Sequence, residues 1–379
     1  MEFTCSKPLT IGMELELQLL ARDSLDQVEG ILPLMEVFPD NPHVKPELIQ
    51  NCVEITSKVC DSIDELESHL HVLAADLVAK CEGLGMRLAG AGTHPFSQRL
   101  ALVTPLPRYL QMEKRAGILA YTQIAFATHV HLGMGSGEEA ISMMRVLKPY
   151  LPLLLALSAN SPFWRGYDTG YASYRHRILA ASRSYSVPPE FRDWDQFCRF
   201  FDTTHRAGLF ESVNDIHWDL RPRPNFGTLE VRVMDAQPTV TEAVGLASFL
   251  WILARHLQEH GSDCAPALPR VLPWWLEKEN HFQASRLALD SQYVAHEDGT
   301  VKPLRAVWEA VVQAIEPTAA ALGETERLRA FVKRIEHGVG YMRQRAVYRE
   351  ARSLLRPVME SLIEEFRAGA VSATQHARN

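Results

Sequence analysis

Six cysteines, at positions 5, 52, 60, 81, 198 and 264, are too few and too scattered to make a C-x-x-C pair or a zinc-ribbon spacing. This excludes the common redox and structural-zinc motifs. A signal-peptide pattern is missing as well, so the thiols are expected to be reduced, packed and cytoplasmic. Excess positive charge is absent. The formal net charge is −7 and no basic patch stands out, which argues against nucleic acid or an anionic membrane as a partner. The longest apolar run, Tyr150 to Leu157, is too short to cross a bilayer and contains Pro152. No G-K-[ST] completes the glycine-rich Gly133-Met134-Gly135-Ser136-Gly137, which therefore reads as a turn capping the next helix. A nucleotide, if one binds, must be held mainly by metal ions and arginines. Internal repeats and low-complexity runs are also lacking.

What is present is an ordinary globular composition, 46% hydrophobic and 22% charged, with length enough for a large core. The informative feature is charge on strand-like segments, because a strand alternates its side chains between two faces. In Ile11-Gly12-Met13-Glu14-Leu15-Glu16-Leu17, Glu14 and Glu16 share one face while Met13, Leu15 and Leu17 share the other. Phe226 to Val233 repeats the split, with Thr228, Glu230 and Arg232 opposite Leu229, Val231 and Val233. His129 and His131 share a face in Ala127 to Gly133, and Glu54 stands between Val53 and Ile55. For any one segment, a solvated face of an ordinary strand is the simpler reading. Together they describe a face whose carboxylates repel one another unless cations neutralise them. Several oxygen donors with one imidazole favour Mg²⁺ or Mn²⁺ over zinc.

Helical spacing is expected over 61–83, 108–120, 138–157, 189–208 and 240–260, with strands at 86–91, 215–220 and 226–235. From about residue 274 the pattern is nearly all helical, with segments at 274–289, 303–321, 325–337 and 340–368. Residues 369–379 read as a flexible tail on a single catalytic domain spanning 1–368. The stretch 158–189 resists regular assignment and is rich in aromatics, which favours a functional segment over a linker.

Thr93-His94-Pro95-Phe96, Pro107-Arg108-Tyr109, His129-Val130-His131-Leu132-Gly133, Ser161-Pro162-Phe163-Trp164, Asp168 to Arg175 and Trp218-Asp219-Leu220-Arg221-Pro222 occur in that order. Phe226 to Asp235 follows, and Arg343-Gln344-Arg345 closes the series. In register, these motifs closely resemble the YbdK-like carboxylate–amine ligases, also called the type 2 glutamate–cysteine ligase family, over about residues 10 to 348. The resemblance implies an α+β fold like the glutamine synthetase catalytic domain. Its curved, mainly antiparallel sheet would hold the active site on the concave face, with helices packed outside. It also implies that ATP activates the γ-carboxylate of glutamate as an acyl phosphate, which an amine then attacks to form an amide.

Carried over by motif, Glu14, Glu16, Glu54 and His129 would be metal ligands, and Glu230 a ligand bridging to the nucleotide. Arg232 would contact the transferred γ-phosphate, while Arg175 and Arg221 would hold substrate carboxylate or nucleotide. His131 is open between ligation and packing, and Arg108 between a site role and a structural ion pair. His94 reads as a turn residue. The family's first motif usually has three consecutive glutamates, whereas here Leu15 separates Glu14 and Glu16. Alternation puts that middle position on the far face, sparing the metal site. The implied cofactors are ATP and Mg²⁺, with Mn²⁺ as a substitute. Cysteine is the default acceptor amine, and an edge strand near the start makes a homodimer plausible. Two other classes use the same residues: a metal-dependent hydrolase, and a non-catalytic ligand-binding member of the fold. Arg232 separates the hydrolase from a ligase, since a phosphoryl-clamping arginine is optional in a hydrolase, and the intact set of Glu14, Glu16, Glu54, Glu230 and Arg232 argues against a decayed site.

Overall fold

The alternating segments pair into one seven-stranded sheet. The computed structural model describes residues 1–261 and 268–376, so Cys264 and the tail residues 377–379 lie outside the description. The strands are β1 (Ile11–Ala21), β2 (Val44–Pro46), β3 (Cys52–Thr56), β4 (Met86–Ala89), β5 (Ala127–Gly133), β6 (Leu220–Arg223) and β7 (Thr228–Asp235). Their order is β6-β7-β5-β1-β3-β2, and β4 joins β1 beyond the end of β5. Every pairing in this sheet is antiparallel.

One face of the sheet is apolar. Met13, Leu15 and Leu17 of β1, Val53 and Ile55 of β3, Val130 and Leu132 of β5, and Leu229 and Val231 of β7 join a single core with the helices Ile63–Gly83 and Val240–His260. Leu15, the departure from the family motif, is 4% exposed within that core. Three helices packed on the sheet start where a hydroxyl can accept an orphan amide. Ser62 accepts from Glu65 N, Ser136 from Glu139 N and Thr239 from Glu242 N. The glycine-rich turn at 133–137 is therefore a cap, as expected, and its glycines serve close packing. A Cβ on Gly137 would lie 2.3 Å from the Trp194 ring, and one on Gly133 would lie 2.5 Å from Lys7 O.

The sequence expectations hold for most elements and fail where prolines and positive-φ residues intervene. The helix expected over 108–120 breaks at Gly117 (φ 57). The 138–157 helix is interrupted by a tight turn at Lys148–Tyr150 containing Pro149. The 340–368 helix divides into Gly340–Glu350 and Arg356–His376. Arg352 and Ser353 take positive φ at that break, and Pro357 disfavours helix just before it. The last helix runs on past Gly369 because Ala370 is buried, so the tail expected from 369 is helical to His376. A hairpin of Gln292–Val294 with Val301–Pro303 interrupts the all-helical reading of the C-terminal third. By length and apolarity Gly137–Ser158 and Val240–His260 could each cross a membrane, yet both are mostly buried in the core.

The 158–189 stretch is irregular, and it is tied down. It holds the short pair Phe163–Trp164 with Tyr167–Asp168, the helix Arg175–Leu179, and Tyr185–Ser186 pairing in parallel with His217–Trp218. Asp235, fully buried at the end of β7, accepts from Asn160 N at 2.9 Å, Ser161 Oγ at 2.7 Å and Ser173 Oγ at 2.8 Å. Those bonds fasten the segment to the strand that carries Glu230 and Arg232.

Candidate active site

The polar face of the sheet gathers the alternating charges in register. Glu14 stands opposite His129, Glu16 opposite Glu54, and Glu230 opposite both His131 and Arg221. His129 Nδ1 lies 3.1 Å from Glu14 Oε2, and His131 Nδ1 lies 3.0 Å from Thr228 Oγ1. The Nε2 atoms of both imidazoles are buried without a hydrogen-bond partner. Burial, reinforced by the Arg232 charge, takes His129 down to about 4, so the ring is neutral at pH 7. With Nδ1–H donated to Glu14, its Nε2 offers a free lone pair, the form that binds metals.

The acids on this face do not share one environment. Burial pushes Glu16 up to about 8, with repulsion from Glu47 adding to it, although Ala127 N donates to Glu16 Oε2 at 2.6 Å. Burial likewise holds Glu54 well above the usual carboxylate range, helped by the charges of Glu14, Glu47 and Glu16. Glu47, which the sequence reading missed, is raised in the same way. For Glu14, burial alone would raise the pKa, but His131 and His129 outweigh it and hold the carboxyl well below the usual range.

Three buried acids pushed upward together signal missing positive charge, and a divalent cation supplies it. Two sets of donor atoms lie within 4.8 Å of one another: Glu14 with His131 and Glu230, and Glu14 with Glu54 and His129. Oxygen-rich sets with one imidazole each suit Mg²⁺ or Mn²⁺. His131, left open by the sequence, thus sits among candidate ligands. Its Nε2 is 3.3 Å from Glu14 Oε1.

Beside the acids stands a cluster of arginines around Glu230, whose side chain is fully buried. Arg221 donates to the carboxylate through Nε at 2.8 Å and Nη2 at 3.1 Å, Arg223 through Nη1 at 3.1 Å, and Arg232 through Nη1. Burial would raise Glu230, but Arg221 and Arg232 hold it well below the usual range. Three guanidiniums against one carboxylate leave two positive charges in excess, a setting for a polyanion. Arg223 was not singled out from sequence. Its spacing of two from Arg221 on β6 is the signal that would have found it.

Arg232 owes its direction to a bulge. Val231 pairs with Val130, and the next pair is Met234 with Thr128, so Arg232 and Val233 together face His129 alone. Arg175 lies close enough to Glu16 for its charge to favour the ionised carboxyl. It is 2% exposed, and its guanidinium donates to Val233 O at 3.4 Å and Arg232 O at 3.3 Å, behind the bulge. Arg108 is exposed on the first turn of the helix Pro107–Ala116, and its charge favours ionised Glu47. His94 is a turn residue as expected. Its Nε2 meets Leu25 O at 2.9 Å, and Phe96 N and Ser97 N donate to its Nδ1.

A model of glutamate–cysteine ligase family 2 matches residues 10–364. The chain belongs to that family. A relative from Trichormus variabilis is 45% identical over 378 residues, covering 99% of this chain and 97% of its own. One from Thermobifida fusca is 36% identical over 385 residues, covering 100% and 96%. Both are provisionally described as glutamate–cysteine ligase 2. Among solved structures, glutamate–cysteine ligase of Francisella tularensis in complex with AMP superposes with a TM-score of 0.65 at 14% identity, covering 100% of this chain and 94% of that one. A bifunctional glutathione synthetase from Pasteurella multocida gives 0.66 at 12% identity, covering 96% of this chain and 53% of that one. At such identities the likeness is one of fold, the α+β ligase fold that the motifs implied. Family membership places this protein among carbon–nitrogen ligases of the glutamate–cysteine ligase type.

Proposed function

We propose that the protein is an ATP-dependent carboxylate–amine ligase that joins the γ-carboxylate of glutamate to an amine, with cysteine first among acceptors. The observation that carries this reading is the meeting, on one sheet face, of two acid–imidazole donor sets with three arginines around Glu230. A hydrolase needs the first, whereas the second is optional for it. A carboxylate oxygen of glutamate attacks the γ-phosphorus of ATP and ADP leaves. The amine nitrogen then attacks the acyl carbon, phosphate departs, and the nitrogen gives up a proton.

Glu14, Glu16, Glu54, His129, His131 and Glu230 would hold Mg²⁺ or Mn²⁺. When bound, the cations neutralise phosphate oxygens and the charge that develops on the transferred group. Arg232, with Arg221 and Arg223 beside it, offers donors to the γ-phosphoryl oxygens as they gain charge. Glu230 keeps these guanidiniums apart and aimed while no anion is there. Arg175 holds the carbonyls of Arg232 and Val233, and with its charge acting on Glu16 it would hold substrate carboxylate or nucleotide together with Arg221.

We also place the protein in the cytoplasm as a homodimer acting on small molecules, with no nucleic-acid or membrane partner. The five described cysteines are free thiols, and β2 leaves one edge of the sheet open. The test is ADP release from Mg·ATP and L-glutamate, with and without a panel of amines that includes cysteine. Glutamate-dependent release accelerated by one amine, and lost in Glu230→Ala, is expected. Release unaffected by Glu230→Ala would overturn the assignment of the site.

A further inference from the structure

Next to Arg232 lies a cluster of ionisable side chains that the proposed chemistry does not use. Asp219, in the turn before β6, is wholly buried. His176, from the helix Arg175–Leu179, puts Nε2 3.4 Å from Asp219 Oδ2, and His281, from the helix Trp274–Leu287, puts its own Nε2 3.4 Å from the same oxygen. Both imidazoles are at most 2% exposed. The two interactions with the histidines hold Asp219 well below the usual carboxylate range although burial opposes them.

The main chain connects this cluster to the site. Asp219 O accepts the amide of Arg232 at 2.8 Å, continuing the β6–β7 register by one rung beside the bulge, and Asp219 N donates to Ser186 O at 2.9 Å. From the other side, Arg175, next to His176 in the chain, donates to the carbonyls of Arg232 and Val233. Three of the four backbone groups of Arg232 and Val233 are therefore held by residues on, or clamped to, the helix Arg175–Leu179.

We propose that Asp219, His176 and His281 are positioning residues that fix the Arg232 bulge and so set the place of its guanidinium. The proposal rests on the ligase reading for its kinetic consequence and not for its structural one. A buried carboxylate bracketed by two imidazoles is costly where apolar side chains would pack. Here it pins the turn whose carbonyl the bulge requires. It also links that bulge to the C-terminal helices, through which His281 reaches the sheet. A displacement of about 1 Å at a transition-state contact costs on the order of 100-fold in rate.

The test uses His281→Ala, His281→Gln and His176→Ala in the full chain, with His256→Ala as a stability control, since His256 is also buried and bonds to Thr318. Amide hydrogen exchange over residues 226–235 is read alongside kcat and KM. In His281→Ala and His176→Ala, exchange in that peptide speeds up and kcat falls by about 10- to 100-fold with the KM for ATP and glutamate little changed. His281→Gln, whose amide nitrogen reproduces Nε2, restores both, and His256→Ala changes neither. Unchanged exchange at 226–235 in His281→Ala, or equal loosening in His256→Ala, overturns the proposal. If the wild-type protein shows no turnover, the ligase reading fails and the exchange measurement still decides the positioning role.

Discussion

Glu16 and Glu54 stand directly opposite each other across the β1–β3 ladder, with their carboxyls on the same side of the sheet. Burial first, and then repulsion from neighbouring carboxylates such as Glu47, raises both above the usual carboxylate range.

Stability without metal should therefore decline with pH. Glu16 titrates near 4.5 when unfolded and near about 8 when folded, so the folded chain binds the extra proton between those values. Its contribution is full below about 4.5 and is lost as pH rises through about 8. Glu14 is shifted downward, so its loss falls in the acid range below that window. Depressed histidines such as His129 act in the opposite sense up to about pH 6.5, so Tm measured in chelator is expected to fall from about pH 7 to about pH 9, and saturating Mg²⁺ or Mn²⁺ to remove most of that fall. A flat profile in chelator would contradict the acid cluster described.

Glu54→Gln separates fold from function. The substitution keeps the shape of a carboxyl that is protonated in the metal-free protein, so Tm in chelator is expected to stay within about 2 °C of wild type. The rise in Tm on adding Mg²⁺ should disappear, and glutamate-dependent ADP release with it. Thermal scans with and without metal check this.

Arg232→Lys keeps the charge and loses the planar fork. A fall in kcat of about 10³-fold is expected if the side chain meets the transferring phosphoryl group. Arg223→Ala removes one of the three guanidiniums around Glu230, and its effect is expected in the KM for ATP, on the order of tenfold. Steady-state kinetics with ATP varied distinguishes the two.

Lys148 and Glu277 form a buried ion pair, 2.8 Å apart and each 6% exposed at the side chain. Lys148→Met strands the carboxylate and is expected to cost about 3–5 kcal/mol. Lys148→Met with Glu277→Leu should recover most of it. Urea denaturation at neutral pH measures both.

Much of the site was legible because alternation on a strand is a strict geometric rule. Glu14, Glu16, Glu54, His129, Glu230 and Arg232 follow from it, and the sheet puts them on one face. Glu47 escaped because it leaves β2, three residues long, into a loop where no alternation exists to be read. Arg223 escaped because Pro222 breaks the look of a strand. Arg175 matched a motif, yet its burial behind the bulge depends on how β7 shifts register against β5, which local sequence does not encode. The same holds for Asp219, His176 and His281, three residues far apart in the chain that only tertiary packing brings together.

The three bonds to Asp235 set a limit on how the 158–189 segment can vary without disturbing Arg232. Positions 160, 161 and 173 are moored to the strand that presents Arg232, whereas the short hairpin from Phe163 to Asp168 extends outward between the moorings, with Tyr167 73% exposed at its turn. Substitutions at the exposed Tyr167 should be tolerated, whereas changes at the moorings would move the strand that carries the arginine.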